Sequence, residues 1–225
     1  MSMNKIVTNY NEILLEIAKY KNKSIHNQFE PQLIAVSKTF PKETIEVLLN
    51  EGHRIFGENK VQEASKKWVE LKKKYNNTEL HLIGPLQSNK VALALKIFDV
   101  IQTLERDKIA LKIKNYFDDR EKVCTKRLFV QVNIGNEKQK SGVDPKLTKQ
   151  FVDWCKNDLK LNIEGLMCIP PFGDEQNSFF IKLKQLCDDL KLKHASMGMS
   201  SDYKSAIMHG ATYVRVGSGI FGARS

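Results

Sequence analysis

Residues 33–57 read LIAVSKTFPKETIEVLLNEGHRIFG, and the pattern within them decides the fold. The stretch opens with a short apolar run, LIAVS (33–37), and closes with a second one, RIFG (54–57). Between these runs apolar residues recur at helical spacing, as at Ile45 and Leu48. A strand, a helix and a second strand in this order predict two parallel strands joined by a right-handed crossover.

The same alternation continues along the rest of the chain. Strand-like runs occur at residues 33–37, 54–57, 80–84, 99–103, 127–134, 163–169, 194–198 and 212–217. Helical spacing appears in the sets Ile45/Leu48/Leu49, Val61/Ala64/Trp68/Leu71, Ile109/Ile113/Phe117, Leu147/Phe151/Cys155/Leu159 and Phe179/Leu183/Leu186/Leu190. Eight such units in 225 residues predict an α/β fold, a single (β/α)₈ TIM barrel, in preference to an open doubly wound sheet.

We predict one domain over residues 1–225, in which an N-terminal helix (1–25) precedes the barrel (33–225). The apolar positions of that amphipathic helix are Ile6, Tyr10, Ile13, Leu14 and Ile17. Because the sequence ends eight residues after Gly217, we expect no helix after the last strand. We expect the N-terminal helix to cover the barrel surface that the missing eighth helix would leave bare.

The composition excludes several classes of protein. Glycine and proline number 12 and 6, too few for a collagen-like or low-complexity chain. The formal net charge of +10 raises the alternative of nucleic-acid binding, but each half of the chain carries 18 basic and 13 acidic residues. Thirty of the basic residues are lysines, and the densest run, Lys72–Lys74, has no interleaved aromatic residue. We therefore interpret the charge as solvated surface and expect no nucleic-acid partner.

Cysteine usage and the N-terminus predict a cytoplasmic protein. Four cysteines, at positions 124, 155, 168 and 187, form no C-x-x-C pair and lie in apolar contexts, as expected for buried, reduced thiols. The first residues lack a basic leader followed by an apolar run, and no segment approaches the roughly 20 apolar residues of a membrane span.

Polar residues gather where the predicted strands end, which is the rim that carries the active site in barrels of this type. They are Lys38, Asn59, His81, Asn133, Ser200, Arg215, Gly217 and Ser218. Lys38 is either a solvated surface amine or, if partly buried beside a cation such as Arg215, a neutral amine suited to condensation with an aldehyde. Arg215 alternates with Val214 and Val216, so it shares a face with Gly217 and needs an acceptor or an anion if that face is internal.

Two segments point to an anion site. GSGIFG (217–222) matches G-x-G-x-x-G literally, but it lacks the following helix, strand and acidic residue of a dinucleotide site. Its backbone N–H groups are suited to cradling a phosphate, the alternative being a flexible tail. In SMGMSSDY (196–203), Gly198 permits a tight turn and Ser200 either caps a helix or joins the phosphate site.

The amide-rich segments GENKVQE (57–63) and HLIGPLQSNK (81–90) complete the predicted rim. Asn59 is placed to hydrogen-bond a ring hydroxyl, whereas Glu58, Gln62 and Gln87 are expected to cap helices or brace the rim. His81 lies between apolar residues on a strand, where a satisfied core histidine is the usual outcome, and no second ligand gives it a metal-binding spacing. We predict no metal.

Six blocks, AVSKTFPKETI, IFGENKVQE, LHLIGPLQSNK, IEGLMCIPP, SMGMSSDY and YVRVGSGIFGAR, closely resemble the pyridoxal phosphate homeostasis proteins, which are related to the N-terminal barrel of alanine racemase. The resemblance implies pyridoxal 5′-phosphate (PLP) bound as an internal aldimine to Lys38. It implies that Ser200, Gly217 and Ser218 hold the phosphate and that Arg215 faces the pyridine nitrogen. By the same resemblance Asn59 approaches the cofactor and His81 is a further pocket residue. Relatives often carry Thr where Ser218 stands, a change that keeps the hydroxyl.

The resemblance implies a carrier of PLP that supports vitamin B6 and amino-acid homeostasis, without efficient catalysis of its own. An arginine at the pyridine nitrogen weakens the cofactor as an electron sink, and we expect no room in 225 residues for the domain that supplies the catalytic tyrosine of alanine racemase. The alternative is a slow PLP-dependent racemase or lyase using Lys38 alone. We expect a monomer whose partners are PLP and the apoenzymes that receive it.

Overall fold

The barrel is built from strands of four to six residues. They are β1 (Gln32–Val36), β2 (Ile55–Glu58), β3 (Glu79–Leu82), β4 (Val100–Leu104), β5 (Arg127–Val132), β6 (Ile163–Cys168), β7 (His194–Met199) and β8 (Tyr213–Val216). The structure, a computed structural model, describes residues 2–26, 28–137, 139–171, 173 and 176–222. Met1 and residues 223–225 of the predicted domain lie outside them. Consecutive strands are parallel, and β8 pairs with β1 through the Ile34–Arg215 register, which closes the barrel.

Helices alternate with the strands. They are α1 (Met3–Lys23), α2 (Lys42–Asn50), α3 (Val61–Lys74), α4 (Val91–Ile97), α5 (Asp107–Asp118), α6 (Thr148–Asp153), α7 (Gln176–Asp189), α8 (Tyr203–Met208) and α9 (Ser218–Phe221). A 3₁₀ turn, Ser88–Lys90, precedes α4, and a π-helical turn, Trp154–Asp158, extends α6. None of the described helices is both long enough and apolar enough to cross a membrane.

The strands read as apolar runs because both of their faces are covered. Outward residues such as Leu33 and Ala35 pack in the core shared with the helices. Inward residues form a separate cluster of Ile34, Val100, Phe129, Met167 and Tyr213, which fills the barrel. The predicted TIM barrel is therefore confirmed, and each predicted strand overlaps an observed one.

The N-terminal helix α1 lies against α2, α8 and α9, so it covers the side of the barrel where β8 pairs with β1. Ile6, Tyr10, Ile13 and Ile17 are buried as predicted. Leu14 was predicted on the same face but is 38% exposed, because it lies just past the edge of the buried stripe.

One prediction about helices is wrong, and the helix α4 was not predicted. We expected no helix after the last strand, but α9 (Ser218–Phe221) follows β8 and buries Ile220 and Phe221. The helix α4 had no predicted counterpart, because four of the seven residues in VALALKI are buried and the segment lacks a clear polar face.

Candidate functional site

A cavity of about 540 Å³ opens at the carboxyl ends of the strands. It gathers six of the seven predicted site residues: Lys38, Asn59, Ser200, Arg215, Gly217 and Ser218. These residues follow or end β1, β2, β7 and β8, so the barrel brings together positions that are up to 180 residues apart in the sequence. His81, the seventh, is absent from the described lining of the cavity.

Side chains of α3 form hydrogen bonds to the turn that carries Lys38. The Lys67 ammonium group donates to the carbonyl oxygens of Ser37 and Phe40, at 3.2 Å in both cases. The Thr39 N–H donates to the carboxylate of Glu63 at 2.6 Å, and Thr39 itself has a φ of 69°. A non-glycine residue in the left-handed region is held there by its surroundings, so these contacts fix the direction in which the chain leaves β1.

Glu58, at the end of β2, is a fully buried carboxylate beside this turn. Its Oε1 accepts hydrogen bonds from the Ser37 hydroxyl at 2.8 Å and the Trp68 indole at 3.1 Å, and the Lys67 ammonium lies 2.8 Å away. Burial raises the pKa of Glu58, and Lys67 opposes that rise. Glu58 therefore braces the rim, which was one of the roles predicted for it.

Asn59 contributes an unpaired acceptor. Its Oδ1 is buried and has no hydrogen-bond partner among the described residues. The backbone of Asn59 is pressed against the segment that follows β3, since a Cβ at Gly84 would lie 2.3 Å from the Asn59 carbonyl oxygen. A buried amide oxygen without a partner costs free energy, which indicates that a donor from a ligand completes the site.

The opposite wall forms a small polar cup. The Ser200 hydroxyl oxygen accepts N–H groups of Gly217 at 3.3 Å and Gly219 at 3.4 Å, which leaves its own hydrogen available to an anion. A Cβ at Gly217 would lie 3.3 Å from both Val36 Cβ and the Val36 carbonyl oxygen, closer than most such contacts. Ser218 is exposed on the rim. Hydroxyl groups beside a glycine turn are suited to donating hydrogen bonds to a phosphate.

Arg215 forms part of the cavity floor and is 4% exposed. Its Nη1 donates to the Ser196 hydroxyl and its Nη2 to the Cys168 carbonyl oxygen, both at 2.8 Å. Both acceptors are neutral, and Asp202 is the described carboxylate that acts on Arg215 electrostatically, without forming an ion pair with it. The positive charge is therefore left to act on whatever occupies the cavity, although burial lowers the pKa of the guanidinium.

His81 lies beneath the cavity, inside the barrel. Its side chain is fully buried and hydrogen-bonds Gln102 at 2.8 Å and Glu79 at 2.5 Å. Burial lowers the pKa of His81 despite the nearby Glu79. The geometry is that of a satisfied core histidine, the other outcome that the sequence left open.

Three further residues of the predicted rim, Asn133, Gln62 and Gln87, lie outside the described cavity lining. Asn133 shapes its own loop, donating to the carbonyl oxygens of Glu137 and Lys140 and accepting the Glu137 N–H. Gln62 and Gln87 are exposed. Within the described ranges, no group of histidine, cysteine and carboxylate side chains has the arrangement of a metal site.

The rest of the cavity lining is mostly apolar, and only Met199, Ser201 and Gly222 of it lie in the two segments predicted to form an anion site. The additional lining residues are Val36, Phe40, Ile83, Ile169, Met199, Ser201 and Gly222. Most of them end a strand or follow one, so their positions in the predicted runs were the available signal.

Comparison with known proteins places these residues in a family. The profile of the alanine racemase N-terminal domain matches residues 14–225. A protein of Pasteurella multocida named pyridoxal phosphate homeostasis protein is 39% identical over 203 residues, which is 86% of each chain. This chain belongs to the pyridoxal phosphate homeostasis protein family.

Solved structures agree with membership of the pyridoxal phosphate homeostasis protein family. PipY of Synechococcus elongatus PCC7942, solved with PLP bound, is 33% identical with a TM-score of 0.77, over 85% of this chain and 92% of PipY. Alanine racemase from Bartonella henselae superposes with a TM-score of 0.73 over the whole of this chain and 61% of the racemase. At 16% identity the racemase shows the fold alone.

The cavity of this member of the pyridoxal phosphate homeostasis protein family contains few side chains that can act as an acid or a base. The described lining contains Lys38 and Arg215 but no tyrosine, histidine, aspartate or glutamate. Arg215 stays charged at neutral pH, so Lys38 is the residue of this lining that is suited to exchanging a proton with a substrate.

Proposed function

We propose that this protein binds PLP covalently through Lys38 and holds it as a reversible store for the cell. The observation that carries the proposal is the cavity itself, which places a lysine amine, a hydroxyl-and-glycine cup and a buried guanidinium around one volume of about 540 Å³. The name shared by the relatives and the PLP bound in PipY support it.

The residues present fit four functional groups of PLP: the phosphate, the ring hydroxyl, the ring nitrogen and the aldehyde. The cup of Ser200, Gly217 and Ser218 offers the hydroxyl groups of the two serines to the phosphate, and Gly217 leaves room for it. The buried, unpaired Oδ1 of Asn59 is available to accept a hydrogen bond from the ring hydroxyl. Arg215 presents a donor to the ring nitrogen, and Lys38 supplies the amine that reacts with the aldehyde.

The covalent step uses only Lys38 and the bound aldehyde. The Lys38 nitrogen forms a double bond to the aldehyde carbon, while the carbonyl oxygen leaves as water with two hydrogens taken from the amine. The amine reacts only when it is unprotonated. Because the reverse step needs only water, the link is suited to storage and release.

The same residues argue for a carrier over an efficient enzyme. Bound PLP supplies an electron sink, and Arg215 at its ring nitrogen favours the unprotonated ring, which is the weaker sink. The described lining offers Lys38 as an acid–base group and no tyrosine to act from the opposite face. We infer that the chain takes part in PLP and amino-acid homeostasis, delivering PLP to apoenzymes, and that it acts as a monomer.

Covalent capture tests the binding site. Protein incubated with PLP and reduced with borohydride is expected to carry one adduct, located at Lys38 by peptide mass spectrometry. Lys38→Ala is expected to abolish the adduct. Lys42→Ala is the matched control, because Lys42 lies on the next turn and pairs with Glu70 at the surface. A covalent adduct formed by Lys38→Ala in the same yield would overturn the assignment.

Transfer and turnover measurements distinguish the carrier from a slow racemase or lyase, for which Lys38 itself is the favourable observation. A carrier is expected to activate a PLP-dependent apoenzyme faster than PLP is released passively into buffer. Robust conversion of any amino acid by the pure protein, lost in Lys38→Ala, would favour the enzyme instead.

A further inference from the structure

A continuous chain of hydrogen-bonded side chains runs through the barrel beneath the cavity. Arg215 Nη1 lies 2.8 Å from Ser196 Oγ, and Ser196 Oγ lies 2.6 Å from Gln102 Oε1. Gln102 Nε2 lies 2.8 Å from His81 Nδ1, and His81 Nε2 lies 2.5 Å from Glu79 Oε1. Ser196, Gln102 and His81 are fully buried, so water has little access to the links between them.

Arg215 sets the direction of the first link, because a guanidinium can only donate, and the orientation of the Gln102 amide, with Oε1 toward Ser196 and Nε2 toward His81, sets the others. Ser196 Oγ accepts that N–H and gives its own hydrogen to Gln102 Oε1. Gln102 then presents its NH₂ group to His81, so His81 Nδ1 must carry no proton. The His81 hydrogen is therefore on Nε2, where it is donated to Glu79.

The far end of the chain is anchored by charge. Arg127 pairs with Glu79 and also donates to the Tyr213 hydroxyl at 3.3 Å. Burial of Glu79 opposes its ionisation, but His81 and Arg127 outweigh it and lower the pKa of Glu79 to about 2. A neutral His81 and an ionised Glu79 are the protonation states that the chain of donors requires.

We propose that Gln102 is a positioning residue, which holds the Arg215 guanidinium toward the cofactor ring through Ser196 while keeping the negative charge of Glu79 away from it. The inference rests on the proposed function. Two side chains, Gln102 and His81, separate Glu79 from Ser196, so the Ser196 hydroxyl that orients Arg215 is a neutral acceptor. Asp202 is the carboxylate that acts on Arg215 electrostatically from the β7 side.

Gln102→Glu is the variant that tests the chain. The variant keeps the oxygen that accepts from Ser196 but removes the donor that faces His81. The introduced carboxylate then draws a proton onto His81 Nδ1, and its negative charge, one link away from Arg215, offsets the field at the ring nitrogen. Ser196→Ala is the second variant, which removes one acceptor of Arg215 without burying a charge.

The measurements are ¹⁵N NMR of the His81 ring without cofactor and the pH titration of the absorption of bound PLP. At neutral pH wild-type His81 is expected as the neutral Nε2–H tautomer, and Gln102→Glu is expected to show it doubly protonated. With PLP bound, both variants are expected to raise the midpoint of the absorption titration. In Gln102→Glu the expected rise is about one pH unit, which is a tenfold change in proton affinity. Gln131→Glu is the matched control. Gln131 is a buried amide of β5 that donates to the Ser141 carbonyl oxygen and takes no part in the hydrogen-bonded series from Arg215 to Glu79.

Each outcome decides a separate question. A wild-type His81 protonated at Nδ1 would overturn the chain of donors. Midpoints of Gln102→Glu and Ser196→Ala equal to that of Gln131→Glu, with PLP still bound, would overturn the positioning role. Failure of the wild type to bind PLP would overturn the proposed function instead, and the NMR spectra of the cofactor-free protein would still decide the chain.

Discussion

The ammonium group of Lys67 lies 3.2 Å from the carbonyl oxygen of Ser37, the residue immediately before Lys38. The same group lies 2.8 Å from the fully buried carboxylate of Glu58. One side chain of α3 therefore ties the turn that carries the reactive lysine to the end of β2. This contact joins residues 30 positions apart in the sequence.

Replacing Lys67 with Met tests this contact. We expect Lys67→Met to lower the free energy of unfolding by about 3 kcal/mol, because the buried Glu58 and two carbonyl oxygens lose their donor. We also expect slower capture of PLP by Lys38, since the turn is no longer fixed. Urea denaturation and the borohydride assay measure the two effects. Lys66→Met is the control, because Lys66 is exposed on the same helix. Equal stabilities of the two variants would contradict the bracing role.

His53, a buried histidine that contacts Tyr10 of α1, predicts a dependence of the folding stability on pH. His53 Nε2–H donates to the Ile55 carbonyl oxygen at 2.7 Å, and the Tyr10 hydroxyl lies 3.3 Å from Nδ1. Burial lowers the pKa of His53 to about 4, and the charge of Arg54 acts in the same direction. The unfolded chain, with a histidine pKa near 6.5, therefore binds the proton more tightly than the folded protein.

We expect His53 to contribute a fall in the free energy of unfolding on the order of 3 kcal/mol as the pH decreases from about 6.5 to about 4, and the lowered pKa values of His81 and His194 to add to it. Denaturant titrations at several pH values measure the slope. His53→Gln removes this titrating group and is expected to reduce the slope of the curve in this window. The contribution of Glu79 is lost at lower pH, between about 4.5 and 2, so the two steps are separable. A curve for His53→Gln as steep as that of the wild type would rule out His53 as its source.

The cup around Ser200 predicts selectivity for the phosphate of PLP. Ser200→Ala removes a hydroxyl donor and the acceptor of two backbone N–H groups. We expect the Kd for PLP to rise about tenfold, because one hydrogen bond to a charged group is lost. The affinity for pyridoxal, which has no phosphate, is expected to stay the same. Ser205→Ala, whose hydroxyl bonds Asn177 away from the cavity, is the control. Equal losses for PLP and pyridoxal in Ser200→Ala would place the phosphate elsewhere.

Much of this architecture could be predicted because parallel strands covered on both faces leave a simple signature. The eight apolar runs matched the eight described strands, and Lys38 and Arg215 stood out because each ends or follows such a run. The one-turn helix α9 (Ser218–Phe221) could not be predicted by periodicity, since four residues are too few to show a repeat.

The supporting residues could not be predicted for a different reason. Lys67 is one of thirty lysines, and its importance arises from contacts with Ser37 and Glu58 that only the folded chain creates. Gln102 gave a weak signal, as a polar residue within the apolar run DVIQT. Nothing local showed that its partners would be Ser196 and His81, which are 94 and 21 residues away.

Two neighbouring residues of α1 allow a direct test of whether this helix supports the cup. Ile13 is 6% exposed and its Cδ1 lies 3.4 Å from where a Cβ at Gly219 would be, whereas Leu14 is 38% exposed. We expect Ile13→Ala to lower the free energy of unfolding by about 3 kcal/mol, because it leaves a cavity beneath α9, and Leu14→Ala to lower it by less than about 1 kcal/mol.

Ile13→Ala is also expected to weaken the binding of PLP relative to pyridoxal, since Gly219 donates to Ser200 in the phosphate cup. Denaturant titrations and paired Kd measurements give the two effects on one set of proteins. If Ile13→Ala loses stability but keeps the wild-type preference for PLP, α1 stabilises the barrel without supporting the cup. If Leu14→Ala is as damaging as Ile13→Ala, the buried face of α1 has been assigned wrongly. The adjacent pair thus separates the burial of the helix from its contact with the glycine turn.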